Sequence, residues 1–142
     1  MLAPEYVTGL ADASGSFTFS RSAGNISVYF SLRLPERDRV ILEELQSYWG
    51  GGRIYPATPG GLYYRVSRHD ELLPVVDHFD RYPLQGHKRE AFGVWREMVE
   101  IKSRFRQPDR ERLDELAQRL SSLSSLSSLT KSRASRRRPA KP

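Results

Sequence analysis

The sequence predicts an α+β domain in which helices cover one face of a four-stranded antiparallel sheet. The clearest observation is that apolar and polar side chains alternate over residues 25–34, as they do in a half-buried strand. A second is the order of patterns along the chain, which is helix, two strands, helix, two strands, then helices. A third is that the non-apolar face of these strands carries polar, basic and aromatic side chains without an acid. These observations predict helices on the apolar face and an open polar face.

Helix stop signals and strand alternation define the individual elements. Pro4 lies in the first turn of a short helix, and Gly15 follows its end. Three glycines at 50–52 end the second helix, which begins at Pro35 and Glu36. The predicted elements are helix 4–13, strands 16–21 and 25–34, helix 35–49, strands 53–56 and 62–67, and helices 70–79, 88–105 and from 109 onward.

The end of the chain has a different composition. Ser121 to Leu129 repeats Ser-Ser-Leu with a strict period of three, and serine is a poor helix former, which predicts a semi-ordered linker. A basic tail without acids follows, and we expect it to be disordered and to add non-specific phosphate affinity. Its basic residues are Lys131, Arg133, Arg136, Arg137, Arg138 and Lys141. The predicted division is therefore a domain over residues 1–120 and a linker with a basic tail over 121–142.

Charge and composition limit the possible partners and compartments. The formal net charge is +6, but without the six tail residues the chain has 17 basic and 17 acidic residues. A polyanion-binding face must therefore come from local segregation of charge. The absence of cysteine excludes disulfides and thiolate metal sites and favours a reducing compartment. We find no membrane-length apolar run and no signal-peptide pattern, so we expect an intracellular protein, cytoplasmic or nucleoid-associated, bacterial or organellar, with no membrane partner.

Residues 7–17, VTGLADASGSF, resemble the LAGLIDADG motif followed by its usual Gly-Ser-Phe. Further segments stand in register with that family: a strand ending FSLRL, a helix containing ILEEL, GGGRI, and YPLQGHK before a Trp-containing helix. The resemblance extends from about Val7 to Lys102. It implies the αββαββα half-domain of the LAGLIDADG homing endonucleases, with a saddle-shaped sheet over DNA and the motif helix at a dimer interface. Such proteins are encoded by introns and mobile elements.

The chain contains one copy of the motif, so the resemblance implies a homodimer. Gly9 and Ala13 are four residues apart on the motif helix, which would let two helix backbones approach closely. We predict a dimer interface of Val7, Gly9, Leu10 and Ala13; the alternative is a glycine in a frayed helix. A twofold dimer predicts a long, roughly palindromic site in double-stranded DNA.

By register with the family, twelve side chains would face DNA. A two-stranded ribbon fits the major groove, where Arg recognises guanine and Asn recognises adenine. The alternative is a solvated sheet face, but an ordinary exposed strand would mix charges of both signs. The predicted DNA-binding residues are Thr18, Ser20, Ser22, Asn25, Ser27, Tyr29, Ser31, Arg33, Arg53, Tyr55, Tyr63 and Arg65.

The catalytic positions depart from the family pattern. In the family, the acid immediately before the final Gly of the motif holds a divalent metal, and that position is Ser14 here. A neutral hydroxyl is a poor ligand for Mg²⁺, so we expect no metal or other cofactor. Asp12 is about 200° away around the helix, and would bind Mg²⁺ only in the alternative of an active enzyme. Leu34 replaces a polar residue, usually Gln, and His87, followed by Lys88, occupies the basic position.

The leading hypothesis is therefore a sequence-specific DNA-binding protein of this family that is deficient in cleavage, with a possible role as a regulator. Whether the chain is an enzyme stays open at this point. One alternative is an active site-specific homing endonuclease; another is an intron RNA maturase; a third is an inactive remnant that recognises nothing. His69 and His78, nine residues apart, show no metal-ligand pattern and are interpreted as surface or capping residues.

Overall fold

A computed structural model describes residues 2–104 and 109–136 of the chain, with side chains described for 2–103 and 109–124. The predicted α+β architecture is confirmed. In chain order, the elements are α1 (Pro4–Ser14), β1 (Gly15–Ser22), β2 (Asn25–Leu34), a 3-10 turn (Glu36–Asp38), α2 (Arg39–Trp49), β3 (Arg53–Pro56), β4 (Leu62–Val66), α3 (His69–Arg81), α4 (Lys88–Arg104) and α5 (Arg110–Arg136).

The four strands form one antiparallel sheet in the order β1-β2-β4-β3. β1 and β2 form a long hairpin in which Gly15 lies opposite Leu32 and Ser22 opposite Asn25. Ala23 and Gly24 connect them, with φ values of 50° and 79°. A two-residue connection with both φ values positive matches the right-handed twist of the flanking strands.

Helix α1 passes directly into β1, and Gly15 makes this junction possible. The Gly15 backbone N–H donates to Ala11 O and ends the helix. A Cβ at this position would lie 2.8 Å from Ala11 O and 3.1 Å from the Phe30 ring. Glycine is therefore required because the helix end, the strand and the core approach closely.

The core lies between the helices and one face of the sheet. Phe17 is at its centre, with four aromatic rings whose centroids lie 5.2–5.3 Å away: Phe30, Phe79, Phe92 and Trp95. The Trp95 indole Nε1–H donates to Tyr29 O at 2.9 Å and to Thr18 O at 3.2 Å. These hydrogen bonds satisfy a buried donor and fix α4 against the β1–β2 hairpin.

Beneath α1, His78 is buried, so its prediction as a surface or capping residue was wrong. The Thr8 hydroxyl donates to Tyr82 O at 2.8 Å and therefore accepts from His78 Nε2 at 3.0 Å. His78 Nδ1 then accepts from the Tyr48 hydroxyl at 2.9 Å. Burial lowers the pKa of His78 to about 4, so the ring is neutral at pH 7. His69, by contrast, is exposed at the start of α3.

Helix α5 packs on α4 and continues further than predicted. Leu113, Leu116 and Leu120 are buried, and Arg112 forms a two-pronged ion pair with Glu97 of α4. The helix continues through Arg136, where the sequence predicted a semi-ordered linker and then a disordered tail. Leu123 still packs against the core, and neither Gly nor Pro occurs between residues 109 and 138 to end the helix.

The rest of the predicted tail, residues 137–142, lies outside the described residues. The division into a domain over residues 1–120 and a separate tail over 121–142 stays a prediction. Across the described ranges, no helix combines the length and apolar character needed to cross a membrane.

Candidate nucleic-acid interface

The sheet has one face that the helices do not cover, and we call it the open face. Core positions alternate with it along every strand: Ile26, Val28 and Phe30 are buried, whereas Asn25 and Ser27 are exposed. The strand register places all twelve predicted DNA-binding residues on this face, together with Ser16. The open face consists of Ser16, Thr18, Ser20, Ser22, Asn25, Ser27, Tyr29, Ser31, Arg33, Arg53, Tyr55, Tyr63 and Arg65.

Sequence reasoning missed Ser16. It lies directly opposite Ser31 in the β1–β2 register and is exposed. The signal was available, because the polar alternation of β1 begins at Ser16.

The open face has three arginines and no acid, as the sequence predicted. On the helical side of the molecule, Asp80 and Glu97 are each paired with an arginine of a neighbouring helix. Arg96 of α4 binds both carboxylate oxygens of Asp80 on α3 at 2.8 Å, through Nε to Oδ1 and a terminal nitrogen to Oδ2. The open face therefore carries a net positive charge, although the residues outside the tail are neutral overall.

The three arginines have different surroundings. The Arg65 guanidinium carbon lies 3.7 Å from the centre of the Tyr29 ring. Arg33 lies 5.5 Å from the centre of the Tyr63 ring, and one of its terminal nitrogens donates to Gly60 O at 2.6 Å. Arg53 stands directly opposite Arg65 in the β3–β4 register. Arg65 is thus stacked on an aromatic ring, Arg33 is hydrogen-bonded to a loop, and Arg53 is adjacent to a like charge.

Helix α1 presents a second exposed surface, and here the prediction needs a correction. Val7 was predicted at the dimer interface, but its side chain is 1% exposed and belongs to the chain's own core. Helical spacing places Val7 about 100° from the outer stripe, on the side that faces the sheet. The other side of the helix, which we call the α1 outer face, consists of the exposed Tyr6, Gly9 and Ala13 and the half-buried Leu10.

Tyr6 was missed as a member of the α1 outer face, although it lies one turn before Gly9 and Leu10. Its side chain is 46% exposed, which is unusual for a large aromatic residue. A Cβ added at Gly9 would meet nothing within 4 Å. The chain itself therefore does not require glycine there for space, and a close approach by another molecule would explain it.

The C-terminal end of α1 holds Ser14 and Asp12. Ser14 is half-buried. The Asp12 carboxylate accepts the Gln85 backbone N–H at 2.9 Å and the Gly86 backbone N–H at 3.2 Å, one on each oxygen. Asp12 therefore binds the loop between α3 and α4. His87, in that loop, is exposed. The ammonium of Lys88, the first residue of α4, donates to Ala11 O at 3.4 Å.

Leu34 does not belong to this site. Its side chain is 9% exposed, lies in the core cluster and pairs with Leu62 across β2 and β4. The prediction that Leu34 occupies a catalytic position was wrong, because it has the same strand parity as the core residue Phe30. The open-face side chain at this end of β2 is Arg33.

The match to a protein family covers the elements just described. A family model described as LAGLIDADG endonuclease matches residues 7–99, from α1 into α4. The chain belongs to the LAGLIDADG endonuclease family.

Curated relatives of this LAGLIDADG chain are longer fungal proteins. An uncharacterized 50.9 kDa protein in ND4 intron 1 of Podospora anserina is 30% identical over 107 residues, covering 69% of this chain and 24% of the relative. A probable intron-encoded endonuclease 2 of Neurospora crassa is 26% identical over 131 residues, covering 85% of this chain and 29% of the relative. The chain thus spans less than a third of the length of each.

Solved LAGLIDADG structures have the same fold. The meganuclease I-AabMI bound to uncleaved DNA superposes with a TM-score of 0.75 at 27% identity, covering 81% of this chain and 42% of that one. The homing endonuclease I-TnaI gives a TM-score of 0.68 at 21% identity, covering 84% of this chain and 98% of that one. I-TnaI, at this identity, supports the fold alone.

The residues at the end of α1 do not fit the divalent metal that this family implies. Ser14 offers a neutral hydroxyl, and both oxygens of Asp12 already accept backbone N–H groups. No group of three His, Asp or Glu side chains that could hold a metal ion occurs among the side chains described. Hard cations such as Mg²⁺ prefer carboxylate oxygens, and the chain presents no available carboxylate at the motif's metal-binding position.

Proposed function

We propose that this LAGLIDADG protein is a homodimer that binds a specific, long, pseudo-palindromic duplex DNA site and does not cleave it. The observation that carries the proposal is the open face, a four-stranded surface with three arginines, exposed polar residues and no acid. Phosphate contacts would supply affinity, and the polar and arginine side chains would supply base recognition. A non-cleaving protein of this kind would act as a regulator at its site, inside the cell.

The single motif and the α1 outer face support the proposed homodimer. The chain covers 42% of DNA-bound I-AabMI, so two copies would supply about the surface that the longer protein has in one chain. Gly9 leaves room at the centre of the α1 outer face, and Leu10 and Ala13 give it an apolar surface. Two α1 helices that pack through this surface would place two open faces side by side over one duplex.

The absence of cleavage is proposed from the end of α1. Phosphodiester hydrolysis with metal ions needs carboxylates that gather the ions over the scissile phosphates. Ser14 supplies none, and a homodimer repeats the substitution in both halves of the site. Asp12 would have to release the Gln85 and Gly86 backbone N–H groups before it could bind a metal.

Selection of bound fragments from a random duplex library tests the proposal. The expected product is a symmetric consensus of two related half-sites, enriched at moderate salt. Ser27→Glu places an acid on the open face and should weaken binding at least about 10-fold, because a carboxylate faces the phosphates. Ser47→Glu is the matched control, since Ser47 is exposed on α2 away from the sheet. Enrichment of no sequence, or a strong preference for structured intron RNA, would contradict the proposal.

A second candidate is an active endonuclease, which the name of the Neurospora relative favours. It would use Mg²⁺ held by Asp12 or a displaced carboxylate. Asp12→Asn would then abolish cutting and leave DNA binding intact. If the unmodified protein does not cut DNA in the presence of a divalent metal, this candidate is wrong.

A further inference from the structure

Arg53 and Arg65 form a pair of like charges on the open face. They are directly opposite across β3 and β4, where facing Cβ atoms lie roughly 4.5–5.5 Å apart. On its other side Arg65 faces the neutral Ser31 of β2. Across the described part of the chain, neither arginine side chain makes an ion pair or a hydrogen bond. Like charges at such a position destabilise a sheet, and an anionic or electron-rich partner would relieve the repulsion.

Arg65 also contacts the ring of Tyr29. Its guanidinium carbon is 3.7 Å from the centre of the Tyr29 ring, a distance typical of a planar group resting on an aromatic face. Arg65 is half-buried, so part of its side-chain freedom is already lost before any ligand binds. Stacking occupies the flat face of the guanidinium and leaves its N–H edge available to a ligand.

Arg33 differs from Arg65 in its hydrogen bonding and in its distance from an aromatic ring. One terminal nitrogen donates to Gly60 O at 2.6 Å, which uses an N–H on the connection between β3 and β4. Its guanidinium lies further from its aromatic neighbour Tyr63, at 5.5 Å from the ring centre. Arg33 is thus suited to position the loop and add positive charge, and less suited to recognise a base through two parallel N–H groups.

We propose that Arg65 is a specificity-determining residue that recognises one guanine in each half-site, with Tyr29 as its support and Arg53 as the adjacent source of positive charge. The inference rests on the proposed DNA-binding function. Guanine presents O6 and N7 side by side in the major groove, and the N–H edge of arginine matches both. A preorganised, stacked arginine loses less freedom on binding than an extended one. Two copies of the chain would place the two guanines symmetrically about the centre of the site.

Selection of duplex sites with the full-length protein and its variants tests this assignment. Arg65→Ala should remove the guanine preference at one symmetric pair of positions and leave the others unchanged, with an affinity loss of roughly 10- to 100-fold on the original site. Arg65→Lys keeps the charge but not the two-pronged geometry, so it should lose the guanine preference and retain most non-specific affinity. Tyr29→Leu should reduce the same preference partially.

Two further variants serve as controls. Arg39→Ala removes an exposed arginine from α2, and should change neither affinity nor consensus. Arg33→Ala should weaken binding without erasing a single guanine position. Thermal unfolding followed by circular dichroism confirms that each variant is folded.

The results separate the two proposals. If Arg65→Ala weakens binding equally at all sequences, or leaves the consensus intact, the role of Arg65 is overturned while DNA binding stands. If the unmodified protein selects no duplex sequence, both the proposed function and the assignment of Arg65 are wrong.

Discussion

The open face of the sheet and the C-terminal end of α1 differ in what they retain of a homing endonuclease. On the open face, thirteen side chains follow the strand register without one acid, and arginine is oriented by aromatic stacking. At the end of α1, the metal-binding position is Ser14 and the neighbouring acid Asp12 is committed to backbone N–H groups. The open face thus has the residues that the proposed DNA binding needs, whereas the end of α1 has no available carboxylate at Ser14 for a metal.

The difference separates two roles of the motif helix, which are packing and metal binding. Helix α1 holds the fold together through Val7, Thr8 and Ala11 on its inner side, and presents Gly9 on its outer side. Neither use requires an acid at Ser14. Loss of metal binding can therefore leave the fold, the dimer surface and the open face unchanged, as the proposed function requires.

The largest effect should come from substitution of Gly9. In the proposed dimer the two α1 helices pack at this residue, and their packing places two open faces over one duplex. Gly9→Leu adds a side chain where the chain itself leaves space, so the fold should persist while two α1 helices are forced apart. Loss of the second half-site should weaken duplex binding by roughly 10²- to 10⁴-fold. Sedimentation should show a monomer, and titration of the selected duplex gives the loss in affinity.

Gly93→Leu is the matched control for Gly9. Gly93 is also an exposed helical glycine whose added Cβ would meet nothing within 4 Å, and it lies on α4. This variant should remain dimeric and bind normally. A dimeric Gly9→Leu protein with unchanged affinity would show that the α1 outer face does not join two copies.

A smaller effect should come from His78, which supports α1 from beneath through Thr8. Burial lowers its pKa to about 4 from an ordinary 6.5, so the unfolded chain takes up a proton more readily than the folded one. The stability linked to the neutral ring should be complete above about pH 6.5 and lost as the pH falls towards 4, by roughly 1–3 kcal/mol.

Urea unfolding at a series of pH values measures this dependence. His78→Gln has no titrating ring, so it should be less stable at pH 7 and vary less between pH 6.5 and 4. Equal slopes for the two proteins over that interval would show that another group is responsible.

The smallest effect should come from Asp12. Asp12→Asn replaces a charged acceptor of two backbone N–H groups, and should lower the free energy of unfolding by about 1–2 kcal/mol. Asp114→Asn is the control, because Asp114 makes one exposed ion pair with Arg21 and should cost less than about 0.5 kcal/mol. Equal losses in thermal unfolding would mean that Asp12 is not needed to hold the α3–α4 loop.

The sequence predicted the open face far better than the end of α1, for a physical reason. Alternation with a period of two determines on which side of a sheet each residue lies, and β2 shows it without a break. The use of Asp12 depends on a loop more than seventy residues away, and the burial of His78 depends on partners from α1 and α2. Such contacts between distant segments leave no local pattern.

Two predicted site residues lie on the inner side of their elements. Leu34 has core parity in β2, and Val7 lies on the inner side of α1; both facts were available from periodicity alone. The continuation of α5 was missed for another reason: serine propensity was given more weight than the lack of a stop signal. Propensity is a weak guide when packing of Leu116 and Leu120 already fixes the helix.

The most direct test of the separation between recognition and cleavage uses the unmodified protein and its selected duplex. Binding is measured by titration, and cutting by incubation of a supercoiled plasmid carrying the site with Mg²⁺ or Mn²⁺. Saturated binding without nicked or linear product is the result that the account predicts. Metal-dependent nicking or cutting at the site would contradict it. A divalent metal would then be bound at the end of α1 although Ser14 supplies no carboxylate.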